Sequence, residues 1–527
     1  MSASRRRGLH AAIDLGASSA RLFVGVMDGG RLLAKEVVRV PNGPVVLPDG
    51  LHWDVLRIHE EMLEGIAQVA RENPDRELSV GVDGWGVDYG LLASDGRLLG
   101  PPYHYRDART HAVAQEAESL VDACRVYEAT GIQAMPINTL LQLLAERKGD
   151  AYRVASRLLL IPDLFGFFLT GEQWCERTNA STTQLLDART GEFVPWLLSE
   201  LGLRADLFAP MIDAGREVGG MLPQVAASVG IERVPRVVSV ASHDTASAVL
   251  ATPPDSAFVV SGTWSLVGME LETPVINEAT RLANFSNERG VQGTIRFLRN
   301  VMGHWMLQQC GERWRAQGRR VGLAAMLDGA RGCVPFRSIV DTFEPAFARP
   351  GNMPALVRDA CRRTGEPVPE SDGELVRCIV DSMAFAIVET LEEAQRLAHR
   401  RVRSVHVVGG GAANELLVAS IASIASIASC SSLEVWAGPV EASAVGNLLV
   451  QLEVGGQVRG REAMNDLVMR SFSPRRVFPD TRIARAAERA RQRWQTIAAR
   501  QLVVRSDPPA SAPGEGARLA GKAAPCR

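Results

Sequence analysis

The chain is predicted to be an α/β protein built from two halves of similar plan. Three features predict this. Strand patterns alternate with helical periodicity along the chain. A strand, a turn of small residues and a second strand occur at 11–27 and again over Phe258–Gly268. Strand-to-helix corners rich in small residues occur at Val237–Val249 and at Val405–Asn414. Corners of this kind are where α/β proteins place reacting groups, because side chains there face the crevice beyond the strand ends.

The opening half supplies its elements in order. Ala11-Ala12-Ile13-Asp14 is a strand, Leu15–Ala20 a turn, and Arg21–Met27 a second strand. Asp28-Gly29-Gly30 turns the chain into a third strand, Leu32–Val40. A helix comes next from Asp54, with Val55, Ile58, Met62, Ile66 and Val69 at helical spacing. The strand Leu78–Asp83 then ends in Gly84-Trp85-Gly86-Val87-Asp88.

Bulk composition bounds the function. A chain of 527 residues, 46% of them hydrophobic, exceeds what one core usually holds. The break at Thr252-Pro253-Pro254-Asp255 divides it into domains 9–250 and 251–500, with 501–527 expected to be a disordered, Pro/Ala/Gly-rich tail. Fifty-eight basic residues against 60 acidic ones leave a net charge of −2, which argues against nucleic-acid and membrane-surface partners. A phosphate ligand stays open, since backbone N–H groups hold phosphates without net positive charge. The eight cysteines show no CxxC spacing, so no zinc site is expected, although Cys361 and Cys378 could pair. With no signal-like or membrane-spanning apolar run, a soluble cytoplasmic protein is expected.

Four motifs carry chemistry. In Ala241-Ser242-His243-Asp244-Thr245, a carboxylate stands at the corner between a strand and a helix expected to begin near Thr245. It is placed to orient a sugar hydroxyl and take its proton. Asp14-Leu15-Gly16-Ala17-Ser18-Ser19-Ala20-Arg21 offers a close backbone approach and hydroxyl donors for phosphate, and Asp14 suits a hydrated Mg²⁺. It lacks the lysine of a Walker loop, and an ordinary hairpin fits it equally. Val408-Gly409-Gly410-Gly411 favours a nucleotide contact over a plain turn. Asp83–Asp88 fits a sugar pocket with Trp85 as an apolar wall, or a packed turn. Phe297–Gln308 is predicted to be a helix, which would put Asn300 and Gln308 near one face. A Ser-His-Asp hydrolase is excluded: His243 and Asp244 would point to opposite faces of a strand, and no G-x-S-x-G elbow is present.

Together these motifs resemble the FGGY carbohydrate kinases, over about residues 11–480 and in order. They are joined by Tyr105-Arg106-Asp107, Asn179–Leu185, Ser261–Leu266, Asn300-Val301-Met302-Gly303 and Gly438–Ser443. The resemblance implies two actin/hexokinase-like (ribonuclease H-like) domains around a central cleft, the first on the sugar and phosphate side and the second on the nucleotide side. It implies ATP-dependent phosphorylation of a ketose at O1, with L-rhamnulose expected and L-fuculose, L-ribulose or D-xylulose as alternatives. A catalytically silent sugar- or nucleotide-binding relative is the rival of a different class. Asp244 would be the base. Gly86, His243, Asp244, Thr245 and Asn300 would contact the sugar. Ala17, Ser18, Ser19, Ala20, Arg21, Thr263, Gln308 and Gly410 would contact ATP, with Mg²⁺ near Asp14. The oligomeric state stays open.

Two departures from the family pattern stand out. Ala20 replaces an expected glycine, which a positive φ would make costly. The tandem Ile-Ala-Ser run Ala419–Ser429 makes the segment from Asn414 to Gly438 about six residues longer. In a helix that adds ~9 Å and rotates the next element by roughly 240°. A looped-out expansion at the helix end is expected.

Overall fold

In the computed structural model, residues 8–428 and 433–506 are described. Two mixed sheets repeat one plan. In the first, β1 (Leu9–Leu15), β2 (Ser19–Asp28) and β3 (Arg31–Pro41) form an antiparallel meander. The helix α1 (Val55–Glu72) leads to β4 (Leu78–Gly84), which lies parallel to β1. β5 (Arg216–Gly220) and β6 (Arg236–Ser239) complete the order β5-β6-β4-β1-β2-β3. β6 delivers the chain to the helix α2 (Asp244–Leu250).

The second sheet is built on β7 (Ala257–Ser261) and β8 (Trp264–Leu271), a hairpin like β1–β2. β9 (Ser286–Arg289) and β10 (Ile295–Met302) come next, then β11 (Ser404–Val408), β12 (Glu434–Ala437) and β13 (Arg475–Val477). The order is β9-β10-β8-β7-β11-β12-β13, with β11 parallel to β7 as β4 is to β1.

These elements form where the sequence favours them. Every residue of β1 is buried, as a central strand covered on both faces requires. α1 buries Val55, Ile58, Met62, Ile66 and Val69, and the Asp54 side chain caps it by accepting from Arg57 N at 3.3 Å. Ala20 pairs with Leu15 inside β2 and is absent from the positive-φ positions, so a side chain there is tolerated without strain.

The chain forms two compact units. One is Met1–Asn300, Ala394–Ala413 and Trp436–Arg476; the other is Val301–Glu393, Asn414–Val435 and Val477–Arg527. Apart from strand ends, both sheets fall in the first, so compactness groups the chain differently from the expected segments 9–250 and 251–500.

Three helices bear on the Ile-Ala-Ser run: α3 (Asp372–Leu397), which lies in the second unit up to Glu393, α4 (Glu415–Ala425) and, near the C-terminus, a helix over Thr481–Ser506. The last runs through 501–506 of the expected tail, and 507–527 lie outside the described residues. The run is not simply looped out. Residues 419–425 continue α4, with Ile421 and Ile424 buried, and 429–432 lie outside the described residues. The serines find partners: Ser420 Oγ donates to Asp381 Oδ1 of α3 at 3.1 Å, and Ser423 Oγ accepts from Asp480 N at 3.1 Å. Three-residue spacing keeps one stripe of isoleucines facing the core over these turns. Ile421→Ala is therefore expected to lower unfolding free energy by about 2–5 kcal/mol, as measured in urea, the range for truncating a buried isoleucine.

Candidate active site

The core of the site is a group of acids at the ends of the first sheet. Asp14 of β1 lies in register with Asp83 on β4 and with Arg21 on β2. Asp14 Oδ2 pairs with Arg21 Nη2 at 2.7 Å, and Arg21 Nη1 reaches Glu441 Oε2 at 2.5 Å. Burial pushes the Asp14 carboxyl up to about 6, against the pull of Arg21, and nearby Asp244 and Glu441 push the same way. Asp83 is also raised well above its ordinary value, first by burial and then by Asp14. Asp83 Oδ2 accepts from Asn447 Nδ2 at 2.7 Å, while Asp83 Oδ1 and Asp14 Oδ1 are buried with no hydrogen-bond partner among the described residues.

A buried set of acids with orphaned oxygens suits a hydrated divalent cation, which takes one or two carboxylates and keeps waters and phosphates. Among the described residues no group of three or more His, Cys, Asp and Glu stands together as an all-protein metal site. Mg²⁺ shared with a phosphate fits that donor set.

The turn expected to meet phosphate is tight. Gly16 N donates to Ser19 O at 3.1 Å, and a Cβ on Gly16 would sit 2.8 Å from that oxygen. Asn42 braces the turn, its N donating to Ser18 O at 3.1 Å and its Nδ2 to Gly16 O at 2.9 Å. Ala17, Ser18, Ser19, Ala20 and Arg21 thus lie just beyond Asp14, around this turn.

Asp244 is the first residue of α2 and His243 its N-cap, so the helix begins one residue before the expected Thr245. The strand alternation that would separate their side chains does not apply. His243 Nε2 approaches Asp244 Oδ1 to 3.5 Å, and Thr245 Oγ1 donates to the same oxygen at 3.1 Å. The corner is anchored from below by Glu176, whose Oε2 accepts from Ser242 N at 3.0 Å and Ser242 Oγ at 2.9 Å. Gly84 N donates to Ser242 O at 2.9 Å and Trp85 N to Leu15 O at 3.2 Å, tying the ends of β1 and β4 to this corner.

Gly86 is where a side chain cannot fit: its Cβ would meet Thr182 Oγ1 at 2.8 Å. Val87 beside it has φ +69°, a strained value for a β-branched residue of the kind found at functional turns. Trp85 packs against Trp53 with centroids 4.1 Å apart and the rings tilted by 35°. Asp88 is not free for a sugar. Its Oδ2 accepts from Trp53 Nε1 at 2.6 Å, Trp85 Nε1 at 3.0 Å and Tyr105 N at 3.2 Å, and its Oδ1 from Gln142 Nε2 at 2.7 Å. Burial pushes the Asp88 carboxyl up to about 7, against the pull of Gln142 and the two indoles. Asp88→Asn puts an amide N–H against at least one of these donors, because Gln142 Oε1 is already held by Arg109 Nη2 at 2.9 Å. A loss of about 1–3 kcal/mol is expected, read as a lowered Tm.

Asn300 and Gln308 do not share a helix. Asn300 is on β10, where its N and Nδ2 donate to Gln133 Oε1 at 2.9 and 3.1 Å; Gln308 is on a separate helix, Trp305–Ala316, in the second unit. Thr263 lies in the turn between β7 and β8, closed by Gly262 N donating to Trp264 O at 2.8 Å. β11 runs beside β7, so Gly410 after β11 is at the neighbouring strand end. Gly409 has φ +78° and a Cβ there would meet Ser261 O at 3.0 Å, while Gly410 faces open space. The expected nucleotide residues Thr263 and Gly410 are thus at adjacent turns.

Cys361 and Cys378 are free thiols in this structure. Among the described residues no helix is long and apolar enough to cross a membrane. Sequence reasoning misses Glu176, Glu288 and Arg296, the last two buried on β9 and β10 against His243. Arg296 is marked locally, as a charge inside the otherwise apolar strand pattern of β10, whereas Glu288 lies in the polar run Ser286–Arg289 and Glu176 is followed by Arg177, where no local signal marks them.

Known proteins match most of the chain. The N-terminal domain of the FGGY family of carbohydrate kinases matches residues 9–251, and the C-terminal domain of that family matches 257–452. A rhamnulokinase of Bacteroides thetaiotaomicron is 37% identical over 473 residues, covering 89% of this chain and 95% of that protein. A rhamnulokinase of Pectobacterium carotovorum is 39% identical, with 89% and 92% covered. Among solved structures, a xylulose kinase from Lactobacillus acidophilus superimposes with a TM-score of 0.73 at 15% identity, over 95% of this chain and 99% of that one. A Plasmodium falciparum glycerol kinase with ADP gives 0.70 at 13% identity, over 94% and 98%. The fold is the two-domain, actin/hexokinase-like fold of these kinases, and the chain is a sugar kinase.

Proposed function

Because the chain belongs to the FGGY family of carbohydrate kinases, we propose that it transfers the γ-phosphoryl group of ATP to the O1 hydroxyl of L-rhamnulose, giving L-rhamnulose 1-phosphate and ADP. The relatives named rhamnulokinase, at 37% and 39% identity, support the choice of sugar. The observation that carries the chemistry is Asp244. It opens α2 with Oδ1 addressed by Thr245 and His243, which leaves Oδ2 as the oxygen to face a ligand.

A carboxylate is a weak base toward an alkyl hydroxyl, but phosphoryl transfer passes through a loose transition state. The nucleophile needs alignment more than early deprotonation. Asp244 aligns the hydroxyl and accepts its proton late. Gly86, His243, Thr245 and Asn300 hold the sugar. The turn Ala17–Arg21, with Thr263, Gln308 and Gly410, takes ATP. Asp14, with Asp83 beside it, would hold Mg²⁺, which would supply charge neutralisation at the phosphates. Most of the acceleration comes from positioning and from donors preorganised around the transferred group. Domain 9–250 carries the sugar and phosphate side and 251–500 the nucleotide side, and the need for ATP supports a cytoplasmic enzyme.

The test is an ADP-coupled assay with Mg²⁺ on L-rhamnulose, L-fuculose, L-ribulose, D-xylulose and a no-sugar blank. A strong preference for L-rhamnulose is expected. Preference for another ketose would reassign the sugar. No sugar-dependent turnover from a folded sample would leave a silent binding protein.

A further inference from the structure

We propose that Arg296 and Glu288 are positioning residues: their buried ion pair fixes His243 as the Nε2–H tautomer, and His243 in turn holds Asp244 with one oxygen left for the sugar. This rests on Asp244 being the group that aligns the hydroxyl.

Glu288 on β9 and Arg296 on β10 are cross-strand partners. Arg296 Nη1 lies 3.1 Å from Glu288 Oε2, with the side chains 0% and 5% exposed. Burial alone would raise the Glu288 carboxyl, yet the Arg296 charge is first among the influences that hold it below its ordinary value. A pair this deep gains little over an apolar pair of the same volume. What distinguishes it is what it faces.

Arg296 Nη2 is 3.1 Å from His243 Nδ1. A guanidinium has five N–H donors and no acceptor, so Nδ1 must accept and the ring proton must be on Nε2. Glu288 Oε2 competes for the opposite tautomer from 3.4 Å, but the same oxygen is closer to Arg296, at 3.1 Å. Arg296 cannot swing aside easily, because Nε donates to Arg289 O at 3.0 Å and Nη2 also reaches Thr178 O at 3.5 Å. The backbone of His243 is pinned in turn, its N donating to Thr178 Oγ1 at 3.2 Å. With its proton on Nε2, the ring presents a donor to Asp244 Oδ1 at 3.5 Å, a long contact of the kind that tightens when substrate binds. In the other tautomer Nε2 would present a lone pair to a carboxylate. Glu288 thus sets Arg296, Arg296 sets His243, and His243 sets Asp244.

The test reads the tautomer directly. Full-length protein carrying ¹⁵N-labelled histidine is examined by long-range ¹H–¹⁵N correlation, with the His243 signals assigned from their loss in His243→Gln. A protonated Nε2 and bare Nδ1 are expected in the wild type. A protonated Nδ1 there overturns the proposal without any variant of the ion pair. Arg296→Met is expected to lose the Nε2–H preference and about 10–10²-fold in kcat, the scale of a misplaced catalytic group, with KM for ATP unchanged. Arg296→Lys, still only a donor, should keep the tautomer and recover part of kcat. An unchanged tautomer and kcat in folded Arg296→Met overturns the proposal; if that variant does not fold, the wild-type and Arg296→Lys spectra decide. Normal turnover by Asp244→Asn would defeat the catalytic role of Asp244, and the tautomer would still be readable separately.

Discussion

Asp244→Asn is expected to lower turnover at least ~10²-fold, the scale on which a general base contributes, while ATP binding stays nearly unchanged. The substitution is close to isosteric. An amide oxygen in the Oδ1 position still accepts from Thr245 Oγ1, at 3.1 Å in the native protein, so the corner keeps its shape. What is lost is the second oxygen. An N–H₂ in its place can neither accept the hydroxyl proton nor align the hydroxyl by accepting its hydrogen bond. Asn also removes one negative charge from a site that already holds Asp14 and Asp83, so nucleotide binding has no electrostatic reason to weaken. Turnover with L-rhamnulose and an equilibrium titration with ATP separate the two effects. Near-normal turnover would show that the carboxylate does not take the proton.

How much of the fold and site is legible in the sequence depends on the range of the forces involved. The β1–β2 hairpin, the helix α1 and the corner before Asp244 are legible because their signals are local: alternation, 3.6-residue periodicity and small residues at turns. The second hairpin is legible by its likeness to the first. Phe297–Gln308 reads wrongly as one helix because an apolar run fits helix and strand alike. Pairing of β10 with β9, Ser286 opposite Leu298 and Arg289 opposite Ile295, decides for strand, and that pairing is not a local signal. The strand rule puts His243 and Asp244 on opposite faces, and it fails because β6 ends at Ser239 and the N-cap His243 turns the chain into α2. Asp88 reads as a sugar contact, yet its partners lie 35 and 54 residues away in sequence, at Trp53 and Gln142. Glu176, Glu288 and Arg296 gain meaning only through such distant contacts. The Ile-Ala-Ser run lengthens its segment, which is why sequence alone puts it outside the helix. Its own periodicity keeps Ile421 and Ile424 on the buried side of α4, so the helix retains it through Ala425.

The second large effect lies outside the set of residues that touch substrate. α2, which begins with Asp244, packs against the helix α5 (Ala442–Val454). The crossing point is Gly446: a Cβ built there would lie 1.7 Å from Ser247 O and 2.4 Å from Ser247 C. These are backbone atoms within a helix, so no rotamer change can relieve the clash. Gly446→Ala must move the helices apart by about 1–2 Å to restore a carbon–oxygen separation near 3.5 Å. Ser247 Oγ donates to Ala241 O at 2.7 Å, so movement of α2 drags on the strand end that carries the corner. Overpacking of this kind costs about 1–3 kcal/mol, and a displacement of ~1 Å in a reacting group costs about 10²-fold in rate. Gly446→Ala is therefore expected to lower both Tm and kcat. Gly351→Ala, whose Cβ would meet nothing within 4 Å, should change neither. A lowered Tm with unchanged kcat in Gly446→Ala would mean that α5 yields and α2 stays, so the position of Asp244 would be held by the Glu176 and His243 contacts rather than by the helix crossing.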